Sequence, residues 1–223
     1  MLPTEVAAIL NAKPDQTVFE LGACNGYHTA LLASHCSGNY RLFTFEPDHR
    51  NHPQVATVAA QNSRITFIRA AVGNVTGGVP FYLAHPDPGN AIGSSSISPF
   101  KDQTKAFPWC TVDGQITVES WRLDDFCRSL ALRVEHIDFI WMDVQGAERL
   151  VFEGAQEILK HTHYIFTEFE GTRKDNEGTC YEHSSSLERL MEMLPDWQVV
   201  KIYEWDALLV NTKFTEPVPA TSG

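Results

Sequence analysis

Apolar residues along this chain gather in short runs, each closing on a polar or acidic residue and each followed by a stretch with helical spacing. Thr17-Val-Phe-Glu-Leu21, Arg41-Leu-Phe-Thr-Phe-Glu46, Ile65-Thr-Phe-Ile68, Ile137-Asp-Phe-Ile-Trp-Met-Asp143 and His163-Tyr-Ile-Phe-Thr-Glu-Phe-Glu170 read as strands. Tyr27 to Cys36 and His52 to Asn62 read as the helices between the first three. That order, β-α-β-α-β, calls for a parallel sheet with crossover helices. Further helices are expected over residues 2 to 12, Leu123 to Leu130, Arg149 to Lys160 and Ser184 to Leu194. Ile116 to Trp121 alternates as a strand, and Gln198 to Tyr203 with Ala207 to Asn211 predicts a closing antiparallel hairpin.

Two stretches break this rhythm. Residues 85 to 115 carry prolines, glycines, Ser94-Ser95-Ser96 and the aromatics Phe100, Phe107 and Trp109. An irregular segment of that length inside a compact domain is usually functional, so a lid that covers a site and selects an acceptor is expected there. Residues 171 to 183 form a second loop on the same edge. Residues 1 to 214 are expected to make one domain, with 215 to 223 a frayed tail.

The first strand runs into Glu20-Leu-Gly-Ala-Cys-Asn-Gly26, a turn in which Gly22 and Gly26 allow close approach to the backbone. A phosphate-cradling loop needs Lys and Ser or Thr after the last glycine, and Tyr27-His28 stand there instead. The dinucleotide spacing fails too, because Cys24 and Tyr27 occupy its second and third glycine places. Glu46, at the tip of the second strand, suits two ribose hydroxyls, and Glu20 suits a cationic group. A ribose joined to a positive charge describes S-adenosylmethionine. Ala70-Ala71 after the third strand either leave room for an adenine or form a tight exit turn.

Composition narrows the field. At 223 residues the chain is long enough for one well-buried domain, and no apolar run approaches the length of a membrane span. The net charge of -11 repels a phosphate backbone and no basic stripe is present, so nucleic acid is not the expected partner. The first residues lack a basic start and an apolar core, which suggests a cytoplasmic protein with its five cysteines reduced.

Asp143, Glu168 and Glu170 fall at strand tips, where open α/β sheets bind ligands. For a hydroxyl acceptor a base is needed, and the candidates are Asp143, Glu168, Glu170, His28 and His183, with Asp143 preferred. Asp143 with Glu168 or Glu170 also offers oxygen ligands for a hard cation such as Mg²⁺.

Phe19-Glu-Leu-Gly-Ala-Cys-Asn-Gly-Tyr27, Phe45-Glu-Pro47, Ala70-Ala-Val-Gly73, Trp121-Arg-Leu-Asp-Asp-Phe126, Ile137 to Glu148 and Phe152-Glu-Gly-Ala155 together resemble the FkbM family of methyltransferases. The pairing of Trp121-Arg-Leu-Asp with Met142-Asp-Val-Gln-Gly-Ala-Glu148 is the most specific part. The resemblance implies a Rossmann-like class I methyltransferase fold, with a seven-stranded, mostly parallel sheet, an antiparallel last strand and helices on both faces. It implies O-methylation of a small-molecule hydroxyl, on a natural product or sugar, by in-line transfer. A small acid methylated on its carboxyl and a non-catalytic binding module are the alternatives. The cofactor-binding set is then Glu20, Gly22, Ala23, Cys24, Asn25, Gly26, Glu46, Pro47, Ala70, Ala71 and Asp143; the catalytic set is Asp143, Glu168 and His28. Gln145 stands where the family usually carries Glu, and the region before the first strand is short.

Overall fold

The computed structural model describes residues 1–86, 92–129, 134–170 and 180–214. In chain order the elements are α1 (Thr4–Ala12), β1 (Thr17–Leu21), α2 (Tyr27–His35), β2 (Arg41–Phe45), α3 (His52–Ala60), β3 (Ile65–Ile68), β4 (Ala71–Val72), β5 (Gly77–Ala84) and α4 (Gln103–Ala106). They continue with β6 (Val112–Trp121), α5 (Leu123–Ser129), β7 (Ile137–Met142), α6 (Glu148–Glu153), a 3₁₀ turn (Ile158–His161), β8 (Thr162–Glu168), α7 (Leu187–Glu192), β9 (Trp197–Ile202) and β10 (Asp206–Asn211).

Seven strands form the main sheet in the order β3-β2-β1-β7-β8-β10-β9. The five from β3 to β8 run parallel, and β10, the last strand in the chain, runs antiparallel to both β8 and β9. Every residue of β1 and β7 is buried, as expected for central strands covered on both faces. Side chains alternate across the sheet. Val18, Leu42, Phe139 and Phe166 pack with α1 and α2 on one face, and Phe19, Phe43, Ile140 and Ile165 pack with α5, α6 and α7 on the other.

Three local expectations change. A second, three-stranded sheet, β4-β6-β5, is present, and β5 lies where the sequence suggested no strand. Its Gly77, Gly78 and Pro80 disfavour a strand on their own, and pairing of Val79 with Val118 and Phe81 with Ile116 overrides that. The same pairing starts β6 at Val112, so residues 112 to 115 belong to a strand rather than to the irregular segment. The helix expected over Arg149 to Lys160 breaks after Glu153. A β-carbon at Gly154 would fall 2.0 Å from the Gly73 carbonyl oxygen, so two chain segments cross at backbone contact there. The carboxylate of Asp124 then accepts from the N–H groups of Glu157 and Ile158, at 3.1 Å and 2.9 Å, and starts the 3₁₀ turn. The Trp121-Arg-Leu-Asp stretch thus acts as a structural lock. Leu130, most of the 171 to 183 loop and the 215 to 223 tail lie outside the described residues.

Candidate active site

The turn after β1 is built by its own backbone. The N–H groups of Gly22 and Ala23 both donate to the Phe45 carbonyl, at 3.1 Å and 2.9 Å, and so tie the tip of β1 to the tip of β2. Gly22, Cys24 and Gly26 have φ of 90°, 48° and 81°. Glycine adopts these angles freely, and Cys24 is the strained member. The side chain of Asn25 accepts from the Tyr27 N–H at 3.0 Å and opens α2.

Across the turn, Glu46 is buried with its carboxylate held by main-chain donors. Oε2 accepts from Cys24 N–H at 2.7 Å, and Oε1 accepts from Asp48 N–H at 2.8 Å. Burial pushes its pKa up to about 8, against the pull of those donors. The arrangement leaves acceptor capacity on Oε2.

These elements enclose a cavity of about 380 Å³, within the size range of small-molecule sites. Of the residues expected at the site, Gly22, Ala23, Cys24, Asn25, His28, Glu46, Pro47, Ala70, Ala71 and Asp143 line it. Glu20, Gly26 and Glu168 do not. Glu20 shares the face of β1 on which Val18 meets α2, so its carboxyl turns beneath the turn. There Oε2 accepts from the hydroxyls of Thr29, at 2.6 Å, and Thr44. Oε1 is buried and finds no hydrogen-bond partner among the described residues. Burial, reinforced by the Asp143 charge, raises the Glu20 pKa to about 7.

Asp143, just past the tip of β7, accepts at Oδ1 from the amide of Gln145 at 2.6 Å. The same amide reaches Glu168 Oε2 at 3.2 Å, and Glu168, at the end of β8, is packed behind the wall. Burial first, then the charges of Asp143 and Glu148, hold the Glu168 pKa well above the usual carboxylate range. His28 lines the cavity with its ring 4.6 Å from that of Trp141, and burial lowers its pKa. Glu170 and His183 serve elsewhere. Glu170 Oε2 accepts from Cys180 N–H and the Ser184 hydroxyl, and His183 Nδ1 lies 3.0 Å from the Ser98 hydroxyl.

Residues 92 to 97, inside the segment expected to cover the site, line the cavity, but sequence reasoning missed the side chains that hold them there. Ser95 donates to Asp48 Oδ2 at 2.9 Å and receives Arg50 Nη2 at 3.0 Å. Asn51 Nδ2 donates to the Ile92 carbonyl at 2.8 Å, and Ser96 donates to the Val144 carbonyl at 3.3 Å. Residues 92 to 97 are thereby strapped across the tips of β2 and β7. The triple serine was their signal, although nothing in it names these partners. Phe81, Val144 and Gln145 complete the wall.

The sequence pattern of the methyltransferase FkbM domain matches residues 20–204. The chain belongs to the FkbM methyltransferase family. It is 35% identical over 208 residues to the 2-O-methyltransferase NoeI of Sinorhizobium fredii, covering 90% of this chain and 82% of that protein. Among solved structures, the methyltransferase FkbM of Methylobacillus flagellatus superposes with a TM-score of 0.50 at 18% identity, over 87% of this chain but only 43% of that one. An O-methyltransferase-like structure from Klebsiella pneumoniae gives a TM-score of 0.50 at 14% identity, covering 93% of this chain and 79% of that one. Both likenesses concern the fold, the Rossmann-like fold of methyltransferases. Family membership makes the chain an S-adenosylmethionine-dependent O-methyltransferase with a small-molecule acceptor.

The residues on the wall fit that cofactor: a buried acid with spare acceptor capacity at the β2 tip and small alanines after β3. Mg²⁺ finds no such support. Among the described residues no three His, Cys, Asp or Glu side chains are grouped to hold a metal ion. The space between Asp143 and Glu168 is taken by the proton-bearing amide of Gln145. No helix among the described residues is long and apolar enough to cross a membrane.

Proposed function

We propose that the chain methylates a hydroxyl of an uncharged small molecule, a sugar or related natural product, with Asp143 as the base. The observation that carries this is the placement of Asp143 on the wall of the same cavity as Glu46 and the glycine turn. S-adenosylmethionine, when bound, supplies an electrophilic methyl group on a sulfonium sulfur. Glu46 would hold the ribose hydroxyls, and Ala70 and Ala71 leave room for the adenine. Pro47 and the 92 to 97 strap exclude water from that end.

At the other end the acceptor hydroxyl faces Asp143. There the Asp143 carboxylate would take the hydroxyl proton as the acceptor oxygen receives the methyl group, the sulfur leaving as a neutral thioether. Alignment in this closed site supplies roughly 7–11 kcal/mol of the barrier reduction. Glu168, whose pKa is raised by burial and by the neighbouring carboxylates, lies off the cavity wall and so does not face the acceptor. His28, neutral through burial, forms part of the acceptor wall.

The wall favours a hydroxyl over a carboxylate acceptor. Among its described residues it carries no Lys or Arg, so an acceptor carboxylate would lie beside Asp143 with no basic side chain to offset it. The S. fredii relative is named a 2-O-methyltransferase, which points the same way. Calorimetry with S-adenosylmethionine, S-adenosylhomocysteine and NAD tests the cofactor; binding of NAD alone would sink the reading. A screen of neutral and acidic acceptors with labelled methyl donor tests the rest, and labelling confined to carboxylic acids would reverse the preference.

A further inference from the structure

Gln145 stands between two carboxyls, and both protons of its amide are in use. Nε2 donates to Asp143 Oδ1 at 2.6 Å and to Glu168 Oε2 at 3.2 Å, while Oε1 faces the Tyr181 hydroxyl at 3.1 Å. The opposite orientation would set a carbonyl oxygen against two acids, so the chemistry fixes which way the amide points. Tyr181 is fully buried, and its hydroxyl also lies 2.7 Å from the Ser94 carbonyl of the strap. Its ring meets Phe100 edge-on at 5.2 Å.

The backbone is held in an unfavourable shape to present this side chain. Gln145 has φ of 54° and Gly146 has φ of 78°. A β-carbon at Gly146 would lie 2.6 Å from both Ser184 Oγ and Tyr181 Cβ, so the turn is packed shut around glycine. A left-handed non-glycine residue is sparsely populated and persists where its surroundings enforce it, commonly at functional sites. A glutamate, which the family usually carries here, would not reproduce this bridge when ionised, because a carboxylate only accepts and would add a third acid to the pair.

We propose that Gln145 is a positioning residue: its amide bridges Asp143 and Glu168 and holds the Asp143 carboxylate in the orientation that receives the acceptor proton. The proposal rests on Asp143 being the base. Removing the bridge deprives both carboxyls of a donor shared in a part-buried setting, so the pair takes up its proton at higher pH.

The test uses the unliganded protein, labelled at the side-chain carboxyl carbons of Asp and Glu and titrated by NMR, with Asp143→Asn and Glu168→Gln assigning the signals. Calorimetry with S-adenosylhomocysteine reports whether each variant keeps its fold and cofactor turn. Gln145→Leu is expected to move the titration of the pair upward by about 1–2 pH units, the shift implied by losing a hydrogen bond to a charged group. Gln145→Glu moves it further, and S-adenosylhomocysteine affinity stays within about threefold, a factor well under 1 kcal/mol. Gln145→Asn, too short to reach both acids yet tolerant of a left-handed backbone, gives the same upward shift if the leucine variant fails to fold. An unchanged titration in Gln145→Asn or Gln145→Leu with ligand affinity retained overturns the proposal. A shifted titration alongside full methyl transfer by Asp143→Asn leaves the bridge standing and removes the base assignment alone.

Discussion

The main-chain carbonyl of Asp143 occupies the space that a β-carbon on Gly22 would need: an ideal Cβ there would lie 1.9 Å from the oxygen. The glycine turn and the candidate base, 121 residues apart in sequence, are thus in backbone contact. Gly22 is required for this approach as well as for its positive φ. Gly22→Ala is expected to lose roughly 2–5 kcal/mol of stability, from a strained backbone and an overpacked contact together. Thermal unfolding and S-adenosylhomocysteine calorimetry check it; wild-type values in both would show that the two strand tips separate without penalty.

Gly154 offers a control in which only the close approach is at stake. Its φ of -88° suits any residue, but a β-carbon would meet the Gly73 carbonyl oxygen at 2.0 Å. Gly154→Ala is expected to lose roughly 1–3 kcal/mol, a fall of about 2–12 °C in melting temperature for a chain of this size. Fluorescence or calorimetric melting measures this, and no fall would mean that the contact between Gly73 and Gly154 is loose.

Asp143→Asn keeps the acceptor oxygen for Gln145 while removing the charge that takes the proton. Turnover on an acceptor found by screening is expected to fall by about 10²–10⁴-fold, the usual range for loss of a general base, with S-adenosylhomocysteine affinity nearly unchanged. A small loss confined to KM would point instead to an acceptor that needs no base.

Three buried carboxyls make stability depend on pH in an unusual direction. Burial raises Glu20 to about 7 and both Glu46 and Glu148 to about 8. The folded chain therefore binds more protons at these sites than the unfolded chain does. Their contribution is fully present below about 4.3, the unfolded value, and is lost as pH rises through about 7 to 8. Glu5, held down at about 2 by its contacts with Lys201 and Tyr203, acts in the opposite sense only at more acidic pH. Denaturant unfolding of the unliganded protein is expected to give a stability that declines from about pH 5 to pH 8. A flat or rising curve in the Glu20→Gln, Glu46→Gln and Glu148→Gln background, against a falling one in the wild type, assigns the slope.

Much of this architecture was legible because parallel strands buried on both faces leave continuous apolar runs, as in Thr17–Leu21 and Ile137–Met142. The acids at their ends were legible for the same reason, since the run stops where the chain meets the cavity. What stayed hidden depends on distant partners. Gly77, Gly78 and Pro80 become a strand only through β6, and the break at Gly154 exists only because Gly73 lies against it. The strap through Ser95 is set by Asp48 and Arg50, whose spacing from it has no local signature. Glu20 was readable as a site acid, but strand alternation, which turns its carboxyl toward Thr29, places it beneath the cavity rather than on its wall.

Glu46 links ligand binding to a proton. In the unliganded cavity burial raises its pKa to about 8, so it is largely protonated at neutral pH. A ribose whose hydroxyls donate to this carboxyl favours the charged form and lowers that value on binding. Binding therefore releases a proton, and affinity rises with pH until about 8, above which Glu46 is ionised in both states. For S-adenosylhomocysteine the expected gain is at most about tenfold per pH unit, seen also as a calorimetric enthalpy that varies with the ionisation heat of the buffer. Glu46→Gln removes both the pH dependence and the buffer dependence, and weakens binding at pH 8. Proton release that persists in Glu46→Gln would place the titrating group elsewhere, with Glu20 beneath the turn the next to examine through Glu20→Gln.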